Sequence, residues 1–581
     1  MLSALLSQIV AAGSKRIGDA REARIAQDID GILAAQRTGN LSAALRMAEK
    51  LVARHPSHAG ARQLLGSLCG QGGDLEGALA HLRAALDINP RSVDALVDLG
   101  NVHRLRDEPA EAIACYRQAL GVDSQSVAAH TNLGLVLKDN DDVDGAVVHL
   151  RKAVEFSPHP VEQLQYLSLA LISKECFPEA LEVLSDPRLD PDDPQVHACK
   201  GFAFQKMHDP ERALVHYEEA LKSETPVAEL VNIGMVMQDL GRIDEALDFN
   251  GRALALQPDF PGARFHRATA CLLIGDFGRG WPDYDARLMS REHRVTPAVA
   301  PRWQGEALDG RTILVRNEQG LGDEIMFSSC IPDLVQRAGR CMLECNSRLE
   351  PIFRRSFPGV SVFGANAARD VPEDLRAAGI DFEVPTGSLP AHFRHTPESF
   401  PAHRGYLSAD ASMVAEWGGR LRELGSGVKV GISWQGGSKK TRRPMRSLPL
   451  EEWMPILSNP GVRFVSLQYG EAVDELTALR ARHGVHIEHW QEAIDDYDQT
   501  AALVSSLDLV ISVCTAAIHL GGALGRPVWV MAPYSPEWRY GLKGASMVWY
   551  PSVRMFRQDS FGAWPGVVSR VADALQGVVR T

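Results

Sequence analysis

No two of the nine cysteines stand in a CxxC spacing. Scattered thiols exclude a disulfide framework and speak against a zinc site, even at Cys341 and Cys345, which flank an expected strand. Reduced thiols suit a cytoplasmic setting. There is also no apolar run near the roughly 18–20 residues that a bilayer span needs. The opening MLSALLSQIVAAGSKR has a short apolar part followed, not preceded, by Lys15 and Arg16. It reads as an amphipathic first helix and not as an export signal. Positive charge is not in excess, and a net charge of -12 argues against nucleic acid as the main partner. What is left is an ordinary globular composition, 45% hydrophobic and 23% charged, in 581 residues. That length is too great for one core and implies several domains.

The first half repeats. Leu65-Gly66, Leu99-Gly100, Leu133-Gly134, Leu167-Ser168, Lys200-Gly201 and Ile233-Gly234 lie 33 or 34 residues apart. Twelve residues after each pair comes a small residue: Ala78, Ala112, Ala146, Ala180, Ala213 or Ala246. A leucine or tyrosine often follows four later, and prolines such as Pro90 and Pro158 close several units. Small residues let paired helices approach, bulky ones fill the next groove, and proline stops the second helix. This resembles the tetratricopeptide repeat, over roughly residues 25–287 within an array of 1–290. Such solenoids are mostly binding surfaces. Asp98, Asn132 and Asn232 precede the Leu-Gly or Ile-Gly pairs and are candidates to hold the backbone of an extended peptide, though they read equally as solvated helix residues. Trp281 and Tyr284, in the divergent last unit, are expected to pack the array onto the C-terminal half of the chain.

After Arg302-Trp303 the period changes to alternating strands and helices, which implies parallel sheets with ligands at the strands' carboxyl ends. Two lobes are expected, 300–410 and 425–581, joined by a Pro-rich passage at Pro385–Tyr406, with a closing helix at Phe561–Val579 that crosses back to brace them. Thr312–Phe327 opens the first lobe as a strand, a Gly320-Leu321-Gly322 turn and a helix start bearing Asp323-Glu324. A carboxylate there repels phosphate and suits deprotonation of a hydroxyl. Two other readings are a helix cap at Asp323 and a degenerate dinucleotide turn with Glu344 as its ribose ligand. In the second lobe the loop Gly436–Arg446 carries Lys439, Lys440, Arg442, Arg443 and Arg446, a natural partner for phosphate. Gln468 ends a strand where a base or ribose could lie. Thr515 opens a helix that carries His519 and runs to Gly521-Gly522, and such helix starts bind anions. A packed structural histidine is the competing reading for His519.

These residues carry a second resemblance. Thr312–Glu324, Arg446 to Trp453 and Cys514 to Gly525 are similar to segments of the lipopolysaccharide heptosyltransferases, which have the GT-B fold. The resemblance places the catalytic base on Asp323, a phosphate ligand on Arg446, and further donor ligands on Thr515 and His519. Cys514 stands where that family has an aspartate, and Arg446 where lysine is more usual. Repeats fused to such a domain resemble bacterial protein glycosyltransferases, notably flagellin-modifying enzymes that use activated nonulosonic acids.

The expectation is therefore an α-solenoid followed by a GT-B domain, acting as an inverting cytoplasmic glycosyltransferase. It would carry sugar from a nucleotide sugar to Ser/Thr of a polypeptide held by the repeats, flagellin being the implied acceptor. Donor ligands would be Arg446, Gln468, Thr515, His519, Gly521 and Gly522, with no metal or other cofactor and no nucleic-acid or membrane partner. The DxD patterns at Asp28, Asp283 and Asp496 fall in repeat helices or at a helix cap. A lipopolysaccharide glycosyltransferase and a non-catalytic adaptor are the alternatives.

Overall fold

A computed structural model of the chain describes residues 22–289, 298–365, 372–377, 379–437, 443–470 and 472–580. The expected helix at 1–16, and Lys439, Lys440 and Arg442 of the basic loop, lie outside them. The chain forms two compact units, Met1–Glu224 and Thr225–Thr581. That division falls within the repeat array and not at its end near residue 290.

The repeat array comprises about sixteen helices, ahead in sequence of a region of parallel sheets. Its packing follows from the periodic glycines of the first helix in each pair. A Cβ on Gly66 would stand 2.7 Å from Leu82 Cγ, on Gly100 2.5 Å from Tyr116 Cε1, and on Gly134 2.6 Å from Leu150 Cγ. Each partner lies sixteen positions on, in the second helix of the pair. Ala78, Ala112, Ala146 and Ala180, in the second helices of successive pairs, are fully buried. The turn between paired helices needs a left-handed residue in each repeat. Gly39 and Gly73 supply it first, then Asp107, Asp141, Glu175 and His208, all with φ between 58° and 83°.

Gly100→Ala is accordingly expected to lower the stability of the first unit by about 1–3 kcal/mol through overpacking against Tyr116. Gly121→Ala, with nothing within 4 Å of the new Cβ, serves as the helical control. Urea unfolding that finds both substitutions equally mild would remove this account of repeat packing.

The second unit begins with four more repeat helices, Val227–Asp239, Ile243–Leu256, Pro261–Leu273 and Phe277–Tyr284, and a 3-10 turn at Asp285–Met289. The first sheet holds β1 (Thr312–Arg316), β2 (Arg340–Cys345), β3 (Ser361–Gly364) and β4 (Phe382–Pro385), all parallel, in the order β3-β2-β1-β4. The second sheet holds β5 (Val428–Ser433), β6 (Val462–Ser466), β7 (Leu509–Val513), β8 (Val528–Ala532), β9 (Ser546–Met547) and β10 (Tyr550–Arg557). Its order is β6-β5-β7-β8-β10-β9, with only β9 antiparallel. β4, β9 and β10 were not legible in the sequence. β4 is four residues long and ends in proline, and β10 carries two arginines that break its apolar alternation.

Two expectations need correction. The closing helix, Trp564–Arg580, does not bridge the sheets: Trp564, Val567, Val568, Val571 and Leu575 share a core with Val430 and Ile432 of β5. Nor does each part of the chain have a core of its own, as the length led one to expect: the last repeats and the sheets share one. One buried cluster runs from Ile243 and Leu272 through Trp281 and Tyr284 to Ile313, Ile325, Val510 and Tyr550. Trp281 Nε1 donates to the Arg394 carbonyl at 2.6 Å, and its ring meets Trp538 edge-on at 5.6 Å. Ser535 Oγ donates to the Gln238 carbonyl at 2.9 Å. The aromatic junction forms as expected, but further repeat helices join it.

Candidate functional site

Strand order reverses between β5 and β7 in the second sheet, and between β1 and β4 in the first. Crevices beyond such reversals are where parallel sheets receive ligands. In the first sheet the crevice is filled from the repeats. Arg287, 3% exposed, donates to Glu318 just past β1, through Nε at 3.0 Å and through Nη2, and to Ser388 Oγ just past β4 at 3.0 Å. Gly387 N–H adds a bond to Glu318 at 2.8 Å. The next residue, Gln319, is held at φ 66°, a strained conformation outside glycine, and its amide oxygen accepts from Tyr284 Oη at 3.3 Å.

This clamped loop delivers Asp323. Gly320, not Asp323, is the N-cap of the short helix Leu321–Phe327. Asp323 lies three residues in, where Oδ2 accepts from Gly320 N–H at 3.3 Å and Oδ1 from Arg539 Nη2 at 2.6 Å. The helix packs directly on the helix Ala516–Ala523 of the second sheet. A Cβ on Gly322 would stand 3.0 Å from His519 Cδ2 and 3.5 Å from Ala516 Cα, so the two helices approach closely there. Glu324 is buried, and that burial pushes its carboxyl up to about 8, although Asn346 N–H donates to it at 2.8 Å. Glu344 is ion-paired with Arg316 at 2.9 Å and 2% exposed, which overturns the ribose-ligand reading.

At the second crevice, backbone and cations converge. A Cβ on Gly436, beyond β5, would meet the Cys514 carbonyl at 2.6 Å and the Arg446 carbonyl at 3.3 Å. Arg446 Nη1 donates to Glu537 Oε1 at 2.7 Å, and Glu537 also pairs with Arg539. The result is one chain of charges, Arg446–Glu537–Arg539–Asp323, joining loops of both sheets. Cys514 is buried among Arg446, Arg539 and Arg557, and burial pushes its thiol up to about 11, so it adds no charge at neutral pH. Thr515 caps its helix through Ala517 N–H at 3.3 Å, and residues Thr515–Ala517 remain half-exposed.

Other expected donor ligands are spent elsewhere. His519 is buried, with Nδ1 3.1 Å from Tyr550 Oη and Nε2 3.3 Å from Tyr540 Oη, and burial holds it neutral. It is the packed histidine of the competing reading. Gln468 Oε1 accepts from the Trp434 and Gln435 N–H groups at 3.0 and 2.9 Å, while Nε2 donates to the Gln435 and Tyr469 carbonyls. Its amide braces the end of β5. Gly521 and Gly522 let the helix lie on Val528 and Tyr550, where a Cβ would come within 2.6 and 2.4 Å. The structure thus brings Asp323, Arg446 and Thr515 to one place and sets these four in the packing around it. Glu537 and Arg539 were not among the expected ligands; the available signals were their place just past an expected strand and the likeness of Trp538-Arg539-Tyr540 to the repeat-fused glycosyltransferases.

Asp283 pairs with Arg264 and Arg267, Asp28 with Arg54, and Asp496 caps the helix Tyr497–Ser506. Among the described residues no group of three or more His, Cys, Asp or Glu side chains gathers as metal ligands, and no helix is long and apolar enough to cross a membrane.

On the repeats, Asp98, Asn132 and Asn232 are each half-buried at the equivalent place in their helices. Burial raises Asp98 to about 6 despite a hydrogen bond from Gln63. Its folded value exceeds the unfolded one, so the folded unit binds more protons and loses stability as pH rises from about 4 through 6. Asp98→Asn is therefore expected to raise the unfolding temperature at pH 8 and leave it unchanged at pH 4. Equal effects at both pH values would show that Asp98 is not strained by its charge.

Residues 30–93 and 71–134 match two family models, each described as tetratricopeptide repeat. Among solved structures, the chain is similar to yeast Tom70 with a TM-score of 0.36 and 18% identity, over 44% of this chain and 56% of that one. It is similar to pilF of Pseudomonas aeruginosa with a TM-score of 0.31 and 24% identity, over 36% of this chain and 96% of that one. Protein FlbA of Caulobacter vibrioides is 33% identical over 442 residues, covering 72% of this chain and 73% of FlbA. With a shared stretch that runs through well over half of both proteins, the chain belongs to the FlbA family.

Proposed function

We propose that this chain is a GT-B protein O-glycosyltransferase, moving a sugar from a nucleotide sugar to Ser/Thr of a polypeptide held by the repeats. The sequence resemblance makes flagellin and a nonulosonic-acid donor the implied pair. The observation that carries the reading is the meeting of Asp323, from the first sheet, with Arg446 and Arg539, from the second, in one ion-pair chain. A base and a cationic phosphate seat are the two parts this chemistry needs. Asp323 takes the proton of the acceptor hydroxyl as its oxygen bonds to the anomeric carbon. The bond from that carbon to the phosphate oxygen breaks, and the phosphate leaves with the electron pair. Arg446, Arg539 and the half-exposed start of the helix at Thr515 stabilise that charge. Attack opposite the leaving group inverts the anomeric centre.

A thermal-shift screen with CDP, CMP, UDP, GDP and ADP derivatives identifies the donor. Intact-mass measurement of a candidate acceptor incubated with donor and enzyme then tests transfer. A second reading, a non-catalytic adaptor, draws on the uncharged Cys514 and on the engagement of Asp323 by Arg539. It predicts acceptor binding with no added mass under any donor.

A further inference from the structure

We infer that Arg446 and Arg539 form a seat for a phosphate-class anion in which Glu537 and Asp323 are competing occupants, so that anion binding displaces both carboxylates and frees Asp323. The inference deepens the proposed transferase reading and rests on it for the role of Asp323.

The two arginine side chains are only 12% and 13% exposed, and two carboxylates answer their two positive charges. Glu537 bridges both guanidinium groups, and Asp323 takes a further donor of Arg539. Arg539 Nε is buried with no hydrogen-bond partner among the described residues, so the guanidinium retains a donor for an added acceptor. A phosphate group presents several anionic oxygens at the spacing a guanidinium fork recognises, and matches the charge of both carboxylates at once. The place suits it: Arg446 follows β5 at the strand-order reversal of the second sheet, where the Thr515 helix starts half-exposed, and Arg539, past β8, is joined to it by Glu537. Glu537 supplies a counter-charge to Arg446 and Arg539, which the neighbouring uncharged Cys514 does not. With the anion seated, the arginines no longer hold Asp323, and the base becomes available only when the donor is present.

The test is calorimetric titration of the full chain with inorganic pyrophosphate. If the carboxylates compete, Glu537→Gln and Asp323→Asn each bind about tenfold more tightly than wild type, while Arg539→Gln binds at least about tenfold more weakly. Arg539→Lys, which keeps the charge without the fork, should recover part of the loss. Asp559→Asn changes net charge equally at a 73% exposed site and should stay within about twofold, excluding a general field effect. Carbodiimide labelling of Asp323 should rise when pyrophosphate is added. Weaker or unchanged binding in both carboxylate variants overturns the competition, and so does an absence of binding in every variant. Labelling that does not rise overturns the release of Asp323. None of these readouts requires sugar transfer. A chain that shows them but modifies no acceptor loses the transferase reading and keeps the seat; one that transfers sugar without them keeps the reading and loses the gate.

Discussion

Asp323→Asn is expected to fold as wild type and to transfer sugar roughly 100- to 10,000-fold more slowly, the range a general base contributes. Asparagine keeps an oxygen that Gly320 N–H and Arg539 Nη2 can reach, so the helix start at Leu321 should survive. What it lacks is a group able to accept the substrate proton. Steady-state transfer, followed by intact mass of the acceptor, checks the result. Because the same variant is expected to bind pyrophosphate more tightly, slow turnover could not be blamed on a lost donor. Turnover near wild type would remove Asp323 from the mechanism. A chain that fails to fold would mark it as a helix-start residue and no more.

Removing the first unit is expected to have the next largest effect. A chain beginning at Thr225 keeps the repeat helices whose side chains enter the common core, including Ile243, Leu272 and Trp281. It should retain pyrophosphate binding and hydrolyse donor slowly. Transfer to a protein acceptor should fall by about 100-fold or more, the scale of a lost tethering advantage. A cut at Gln257 instead removes Ile243 and the Gln238 carbonyl that receives Ser535, and should cost folding itself. If the Thr225 chain modifies the protein acceptor as well as the full chain, the repeats are not the acceptor site, and a role in assembly replaces it.

The repeat array was legible because its causes are close in sequence. Gly100 and Tyr116 meet across one turn, sixteen positions apart, and the same pair type recurs every 33 or 34 residues. Seven strands could be read from β-branched runs such as Val428–Ser433 and Leu509–Val513. The four-residue β4 offered too little pattern to see. For the site, a glycine turn and a helix start located Asp323 and Thr515, because backbone conformation there follows from local residue type. The same method placed Gln468, His519, Gly521 and Gly522 on the donor, and the fold turns all four inward. Residue type does not show whether a polar atom is already bonded or a glycine already crowded.

Sequence alone determined the repeat period, the two runs of parallel strands and the chemical character of the loops, since each depends on neighbours within about one helix pair. Only the tertiary structure decided that Arg287 fills the first crevice, that the last repeats share the core of the sheets, and that Glu537 and Arg539 join Arg446 to Asp323. Arg446 and Glu537 are 91 positions apart, and Asp323 and Arg539 are 216. No periodicity along the chain encodes a contact at that separation; it exists because two sheets, each folded by its own local rules, bury their facing helices against each other at Gly322 and His519.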